Sequence, residues 1–305
     1  MAELNMNVQI GSLQLKNPVL PASGTYGYGR EYSSLFSPEI WGAVVTKGVS
    51  PTAWPGNNTP RICETPGGML NAIGLQNPGM ESFISEALPW LQQFDVPVVV
   101  NIVGKSIEEY AVVAARLHEC AGVDAFELNI SCPNVKEGGI AFGTDPSAAA
   151  AVTSAVRRVT NKPLIVKLSP NVTDITLIAR AVEAEGADAL SITNTLLGMA
   201  IDVKTRRPVL ANVVGGLSGP AIKPVALRMV WQTYKQVKIP IIGMGGILTA
   251  NDALEFLMAG ASAVAIGTGL YVDPFTPQKV LVGIQEYMTA EGISSVTDIT
   301  GIAQK

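Results

Sequence analysis

Eight short, almost uninterrupted apolar runs recur along the chain, and nothing else in the sequence restricts its fold as strongly. They are "NPVLPAS" (17–23), "GAVVTKG" (42–48), "PVVVNIVG" (97–104) and "DAFELNIS" (124–131), then "PLIVKLSP" (163–170), "DALSITNT" (188–195), "PIIGMGGI" (240–247) and "SAVAIGTG" (262–269). Most are of strand length and rich in β-branched residues, as expected of parallel strands buried on both faces. Helical stretches lie between several of them: "SIEEYAVVAARLHECAG" (106–122), "DPSAAAAVTSAVRRVT" (145–160), "DITLIARAVEAEGA" (174–187) and "TANDALEFLMAGA" (249–261). The first opens on a Ser106-x-x-Glu109 capping-box pattern and closes at Gly122. Strands alternating with helices predict a parallel α/β fold, and eight is the number that closes a (β/α)8 TIM barrel. One barrel domain over residues 1–305 is therefore expected. An open doubly wound sheet is the alternative, because strand count alone does not prove closure.

Two connections exceed a plain helix, and insertions are expected after strands 2, 4 and 6. Residues 48–96 carry the turn-rich "PTAWPGNNTP" and "NAIGLQNPG". Residues 196–223 carry "VKTRRPVL" and "GGLSGPAIKP", read as a small hairpin and a glycine turn. The fourth strand runs into "PNVKEGGIAFG", a glycine-containing segment suited to opening and closing over a substrate. Long insertions at a loop end of a scaffold are more often functional than idle.

Composition narrows the class. Charged residues make up 15% of the chain, well below the usual quarter, against 48% apolar. That is too little charge to coat a monomer, so part of the surface is expected to meet a partner subunit. A net charge of −4 without a Lys/Arg run argues against a nucleic-acid binder. No apolar stretch approaches the ~18 residues of a membrane span, and the opening "MAELNMNVQIG" carries no secretory pattern. A cytoplasmic protein is expected. Three cysteines, Cys63, Cys120 and Cys132, with no CxxC, exclude a disulfide framework and a cysteine-based metal site.

The last residues of the eight runs share a character. They are Ser23, Lys47, Asn101, Asn129 with Cys132, Lys167, Asn194 with Thr195, Gly245 with Gly246, and Gly267 with Thr268. In a barrel these ends converge on one face, where barrel active sites lie. Lys47 and Lys167, if inward, need an anionic partner or a lowered pKa. Together they suit an anion or a cofactor that becomes anionic. A Schiff-base aldolase using Lys167 is the rival chemistry. The glycine pairs of the last two runs let backbone N–H groups approach a phosphate, and loops after strands seven and eight are the usual barrel phosphate site. Neither pair completes G-x-G-x-x-G, since Leu248 stands where the third glycine belongs, so a Rossmann-type nicotinamide site is not expected in this chain. A phosphate-ligand-binding scaffold without catalysis would share this signature.

Cys132 stands in "LNISCPN" (128–134), just before a proline that cannot extend a strand ladder. The one histidine, His118, lies in a helical stretch and reads as a packing or surface residue. Cys132 must therefore act without a histidine base, as an acid/base or lone nucleophile. A thiol pKa near about 8.5 leaves only a few per cent thiolate at neutral pH. Cys63 and Cys120 read as inert.

Taken with "TKG" (46–48), "NAIGLQNPG" (71–79), "NISCPN" (129–134), "VKLSPN" (166–171), "TNT" (193–195), "GGLSGPAIKP" (215–224), "GMGGI" and "IGTG", the chain resembles the dihydroorotate dehydrogenases over essentially its whole length. Cysteine at 132 is similar to the soluble class 1 enzymes, and "NAIGLQN" with "VKEGGIAFG" to their NAD-linked type B catalytic subunits rather than the fumarate-linked homodimers. The resemblance implies a (β/α)8 enzyme of pyrimidine biosynthesis that oxidises dihydroorotate to orotate with FMN. FMN would meet Ser23, Lys47, Gly48, Asn101, Asn129, Lys167, Thr193, Gly219, Gly245, Gly246, Gly267 and Thr268. The substrate would meet Lys47, Asn71, Ala72, Ile73, Gly74, Leu75, Asn129, Asn134, Asn194 and Thr195. Cys132 aligns with the base that takes the C5 proton while hydride leaves C6 for flavin N5. It further implies a homodimer joined by an electron-transfer subunit that carries FAD and a [2Fe–2S] cluster and reduces NAD+. Oxidation of a related dihydropyrimidine, or a fumarate-linked dihydroorotate dehydrogenase, is the enzymatic alternative.

Overall fold

The structure is a computed structural model that describes residues 4–130 and 142–305. The eight runs form eight parallel strands: Val19–Pro21, Val44–Val45, Val98–Ile102, Ala125–Asn129, Leu164–Lys167, Ala189–Ile192, Ile241–Met244 and Ala263–Ile266. They pair in one sheet in the spatial order first, eighth, seventh, sixth, fifth, fourth, third, second. The edges of that sheet meet where the Gly42 N–H donates to the Val19 carbonyl at 2.9 Å, which makes a barrel rather than an open sheet. Every residue of the strands from Val98–Ile102 onward is buried, the physical reason their sequences read as continuous apolar runs.

The seam depends on a close approach. A Cβ at Gly42 would stand 2.1 Å from the Asn17 carbonyl oxygen. Asn17 cannot withdraw freely, because its side chain donates to the Ile40 carbonyl at 2.9 Å and accepts from the Val19 N–H at 3.0 Å. Gly42→Ala is expected to destabilise the protein by about 1–3 kcal/mol, the usual range for forced overpacking. Urea denaturation would read the loss, and an unchanged midpoint would mean that the seam is not held closed in solution.

Helices cover the barrel at Ile107–His118, Pro146–Arg157, Ile175–Ala184, Lys223–Tyr234, Ala250–Ala259 and Thr276–Glu291. Ser106, Asp145 and Asp174 each cap a helix by accepting a backbone N–H with the side chain. The capping box expected at Ser106 is only half made. Ser106 accepts from the Glu109 N–H, but the Glu109 carboxylate takes the Lys105 N–H at 2.7 Å. The full box belongs to Thr249 and Asp252. Among the described residues, no helix is long and apolar enough to cross a membrane.

Two additions close the barrel ends. A hairpin of Val8–Ile10 and Leu13–Leu15 turns at Gly11 beside Asp188, just ahead of the sixth strand, and buries its apolar face under the bottom of the barrel. At the opposite end, the insertions after the second and sixth strands combine. Leu196–Met199, Val214–Ser218, Gly68–Asn71 and Ile62–Thr65 pair in that order as an antiparallel sheet. The expected hairpin is present nearby as Ile201–Asp202 against Arg207–Pro208. The expected insertion after strand 4 lies mainly outside the described residues.

Candidate active site

One cavity opens between the C-terminal ends of the strands and this antiparallel sheet. The described residues leave it a volume of ≈ 1410 Å³, above the roughly 300–1,000 Å³ of a pocket for one drug-sized ligand. All the expected site residues that the structure describes line it, from Ser23 and Lys47 just after the first two strands to Gly267 and Thr268 after the eighth. So do Asn71 to Leu75, contributed by the insertion after the second strand. Cys132 and Asn134 fall within residues 131–141 and lie outside the described residues.

Register explains how the polar groups come together. Asn101 on the third strand pairs with Glu127 on the fourth, Asn129 pairs with Lys167 on the fifth, and Lys167 pairs with Ser191 on the sixth. Glu127 and Asn129 are two apart and so share one face of their strand. The Lys167 ammonium stands 3.2 Å from Ser23 Oγ and 3.8 Å from Glu127 Oε1, with both charged residues buried. Glu127 also accepts from Asn101 Nδ2 at 2.6 Å and from Ser191 Oγ at 2.8 Å. Near the mouth, Asn194 Nδ2 donates to Asn129 Oδ1 at 3.3 Å, and the Asn194 carbonyl oxygen of the side chain accepts the Thr195 N–H. Tyr110 Oη donates to the Asn129 carbonyl at 2.8 Å and holds that strand end in place.

Lys47 is half-buried at the mouth. Burial lowers its pKa from the ordinary lysine value; Glu31 partly opposes this and Arg61 adds to it. At the other end of the cavity the backbone is bare. Gly246 has φ of 77°, and a Cβ there would stand 2.8 Å from the Gly219 carbonyl oxygen. At Gly267 such a Cβ would meet the Ala22 side chain at 3.5 Å, ordinary van der Waals contact. The sixth-strand insertion delivers Gly219 and Ile222 to the same region, and Ile222 is the N-cap of the helix Lys223–Tyr234. Bare backbone beside a helix N-terminus is suited to a phosphate.

This donor set fits FMN. The glycine loops after the seventh and eighth strands line the cavity with backbone that a phosphate can approach closely. Asn101 Oδ1 is a buried acceptor without a hydrogen-bond partner among the described residues, so it is available to a ligand N–H.

Several residues of the site were not singled out from the sequence. Glu127 and Ser191 lie one or two positions inside their strands, behind the polar strand ends. The period-two relation of Glu127 to Asn129 was the available signal. Asn171, within "VKLSPN", links the fifth-strand loop to the covering sheet by donating to the Thr195 carbonyl at 3.0 Å and accepting from the Leu197 N–H at 2.9 Å.

Comparison with known proteins agrees with this architecture. The family model described as dihydroorotate dehydrogenase matches residues 5–288. A protein of Geotalea daltonii named dihydroorotate dehydrogenase B (NAD(+)), catalytic subunit, is 57% identical over 301 residues, covering 99% of both chains. A protein of the same name from Pelobacter propionicus is 57% identical over 297 residues, covering 97% of this chain and 98% of that one. Another from Alkaliphilus oremlandii is 56% identical over 301 residues, with 99% of each chain covered. Matched from its first strand hairpin into its last long helix, with relatives more than half identical along almost every residue, the chain belongs to the dihydroorotate dehydrogenase family.

Proposed function

We propose that this chain is the FMN-dependent catalytic subunit of an NAD+-linked dihydroorotate dehydrogenase, acting in the cytoplasm in pyrimidine biosynthesis as a single barrel domain. The observation that carries the reading is the single cavity shared by the buried Lys167, the amides of Asn71, Asn129 and Asn194, and the glycine loops. Relatives named as type B catalytic subunits support the NAD+ linkage.

In this reading Gly219, Gly245, Gly246, Gly267 and Thr268 hold the FMN phosphate. Ser23, Gly48, Asn101, Lys167 and Thr193 meet its ring. When bound, FMN supplies a two-electron acceptor at N5. The asparagine amides each offer a donor and an acceptor, which matches the alternating N–H and C=O edge of a pyrimidine. Lys47 binds the substrate carboxylate. Cys132 takes the proton from C5 as hydride leaves C6, and the electron pair of the C5–H bond becomes the new C5=C6 bond. Lys167 places a fixed cation where negative charge accumulates, so no reorganisation is needed as the charge develops.

Electrons then leave through a partner subunit carrying FAD and a [2Fe–2S] cluster. Tyr271 and Val272 line the cavity and are 54% and 66% exposed, an apolar rim suited to such a partner. Leu197, Met199, Ile201 and Val203 are exposed on and beside the covering sheet, which supports self-association into a homodimer.

Anaerobic titration of the purified protein with dihydroorotate tests the reading. Stoichiometric bleaching of the visible flavin band is expected. A colourless protein, or a yellow one that stays unbleached, would overturn it. Lys47 adds a pH dependence whose sign is fixed. Its ammonium binds the carboxylate, so orotate affinity falls as pH rises through the Lys47 pKa, which burial has moved below the usual lysine range. Orotate binding measured between about pH 7 and 10 should therefore weaken earlier than an ordinary lysine would allow. Lys47→Met should bind weakly across that range with this dependence removed.

A further inference from the structure

Glu127 is 2% exposed, lies beneath the cavity, and is used by no step of the proposed reaction. Both of its oxygens are acceptors, taking Asn101 Nδ2 at 2.6 Å and Ser191 Oγ at 2.8 Å, and the Lys167 ammonium is 3.8 Å from Oε1. A carboxyl that receives two donors beside an ammonium has the pattern of the ionised form.

The consequence falls on Asn101. An amide side chain has nearly the same shape whichever end points forward, so its neighbours decide which end faces a ligand. A carboxylate oxygen at 2.6 Å accepts only the NH2 end. The Asn101 Oδ1 is thereby turned the other way, 3.2 Å from where a Cβ of Gly48 would stand. Both Asn101 and Gly48 line the cavity, and Oδ1 is buried without a partner among the described residues.

We propose that Glu127 is a positioning residue that sets the polarity of the cavity floor. It turns Asn101 so that an acceptor, not a donor, meets the cofactor, and its charge offsets part of that of Lys167. This rests on the FMN reading above. Oxidised isoalloxazine carries one N–H, between two carbonyls, and an acceptor at Asn101 suits that group. Reduced FMN is the more negative state, so the Glu127 charge opposes reduction while Lys167 favours it. Glu127 therefore holds the flavin potential below the value Lys167 alone would give.

Two variants separate the roles, read by FMN binding to apoprotein and by the midpoint potential of reconstituted protein. Glu127→Gln keeps an acceptor for Asn101 and removes the charge. Its FMN affinity should stay within about threefold of wild type. Its potential should rise by about 30 mV, equivalent to tenfold tighter relative binding of the reduced cofactor in a two-electron couple. Glu127→Met removes the acceptor, and its FMN affinity should fall about tenfold or more. An unchanged potential in Glu127→Gln, or undiminished FMN affinity in Glu127→Met, overturns the proposal. Should Glu127→Met fail to fold, the potential of Glu127→Gln decides alone. Wild-type apoprotein that binds no FMN would instead sink the cofactor reading, a result seen before any variant is compared.

Discussion

Replacing Lys167 with methionine should lower the rate of anaerobic reduction by dihydroorotate by about 10²–10³-fold, the usual loss when one preorganised group facing developing charge is removed. It should also destabilise the apoprotein by about 3 kcal/mol, because the buried Glu127 then loses its cation. The two effects have separate origins and can be pulled apart. Lys167 and Glu127 are 3.8 Å apart with side chains 7% and 2% exposed, so neither charge is screened by water. The double variant Lys167→Met/Glu127→Gln removes both charges while leaving an amide oxygen to accept from Asn101 and an amide NH2 to donate to Ser191 Oγ. Most of the stability should return in urea denaturation, yet flavin reduction should remain slow. If the double variant recovered the rate as well, Lys167 would be a counter-ion to Glu127 and nothing more.

That ion pair also marks how far the sequence could be read. The eight barrel strands were legible because strands buried on both faces carry no polar alternation to confuse them. The site was legible at strand ends, where Ser23, Lys47 and Lys167 interrupt apolar runs. Glu127 was not, because a single acid two residues inside a strand gains its meaning from Asn101 on the neighbouring strand and Ser191 two strands away, and that register is three-dimensional information. The antiparallel sheet over the cavity was read as turns for a different reason. Its strands are short, half-exposed and glycine-containing, as in Gly215–Gly216, and glycine is depleted in strands. Gly216 is nevertheless required there, since a Cβ would stand 2.1 Å from Thr195 Oγ1. The bottom hairpin is not legible in the sequence because two three-residue strands are too short to display a period.

Cys132→Ala should lower kcat by about 10²–10⁴-fold, the range for loss of a positioned general base. The thiolate is the form that accepts a proton, and a thiol near its ordinary pKa of about 8.5 is mostly protonated at neutral pH. Wild-type kcat should therefore rise with pH as the thiol deprotonates, and the rise should vanish in the alanine variant. Serine at this position keeps an ionisable hydroxyl but one far harder to deprotonate, so Cys132→Ser should be slow at neutral pH and gain activity only in more alkaline solution. Lys47 acts in the opposite sense, because its deprotonation weakens carboxylate binding as pH rises. The two groups are distinguished by where they enter the kinetics. Cys132 governs the chemical step and moves kcat, whereas Lys47 governs capture of the anion and moves KM. Deuterium at C5 of the substrate completes the test by slowing flavin reduction if proton removal by Cys132 limits it. An alanine variant with wild-type kcat and an unaltered pH profile would leave the proton to another group and make Cys132 dispensable to the reaction.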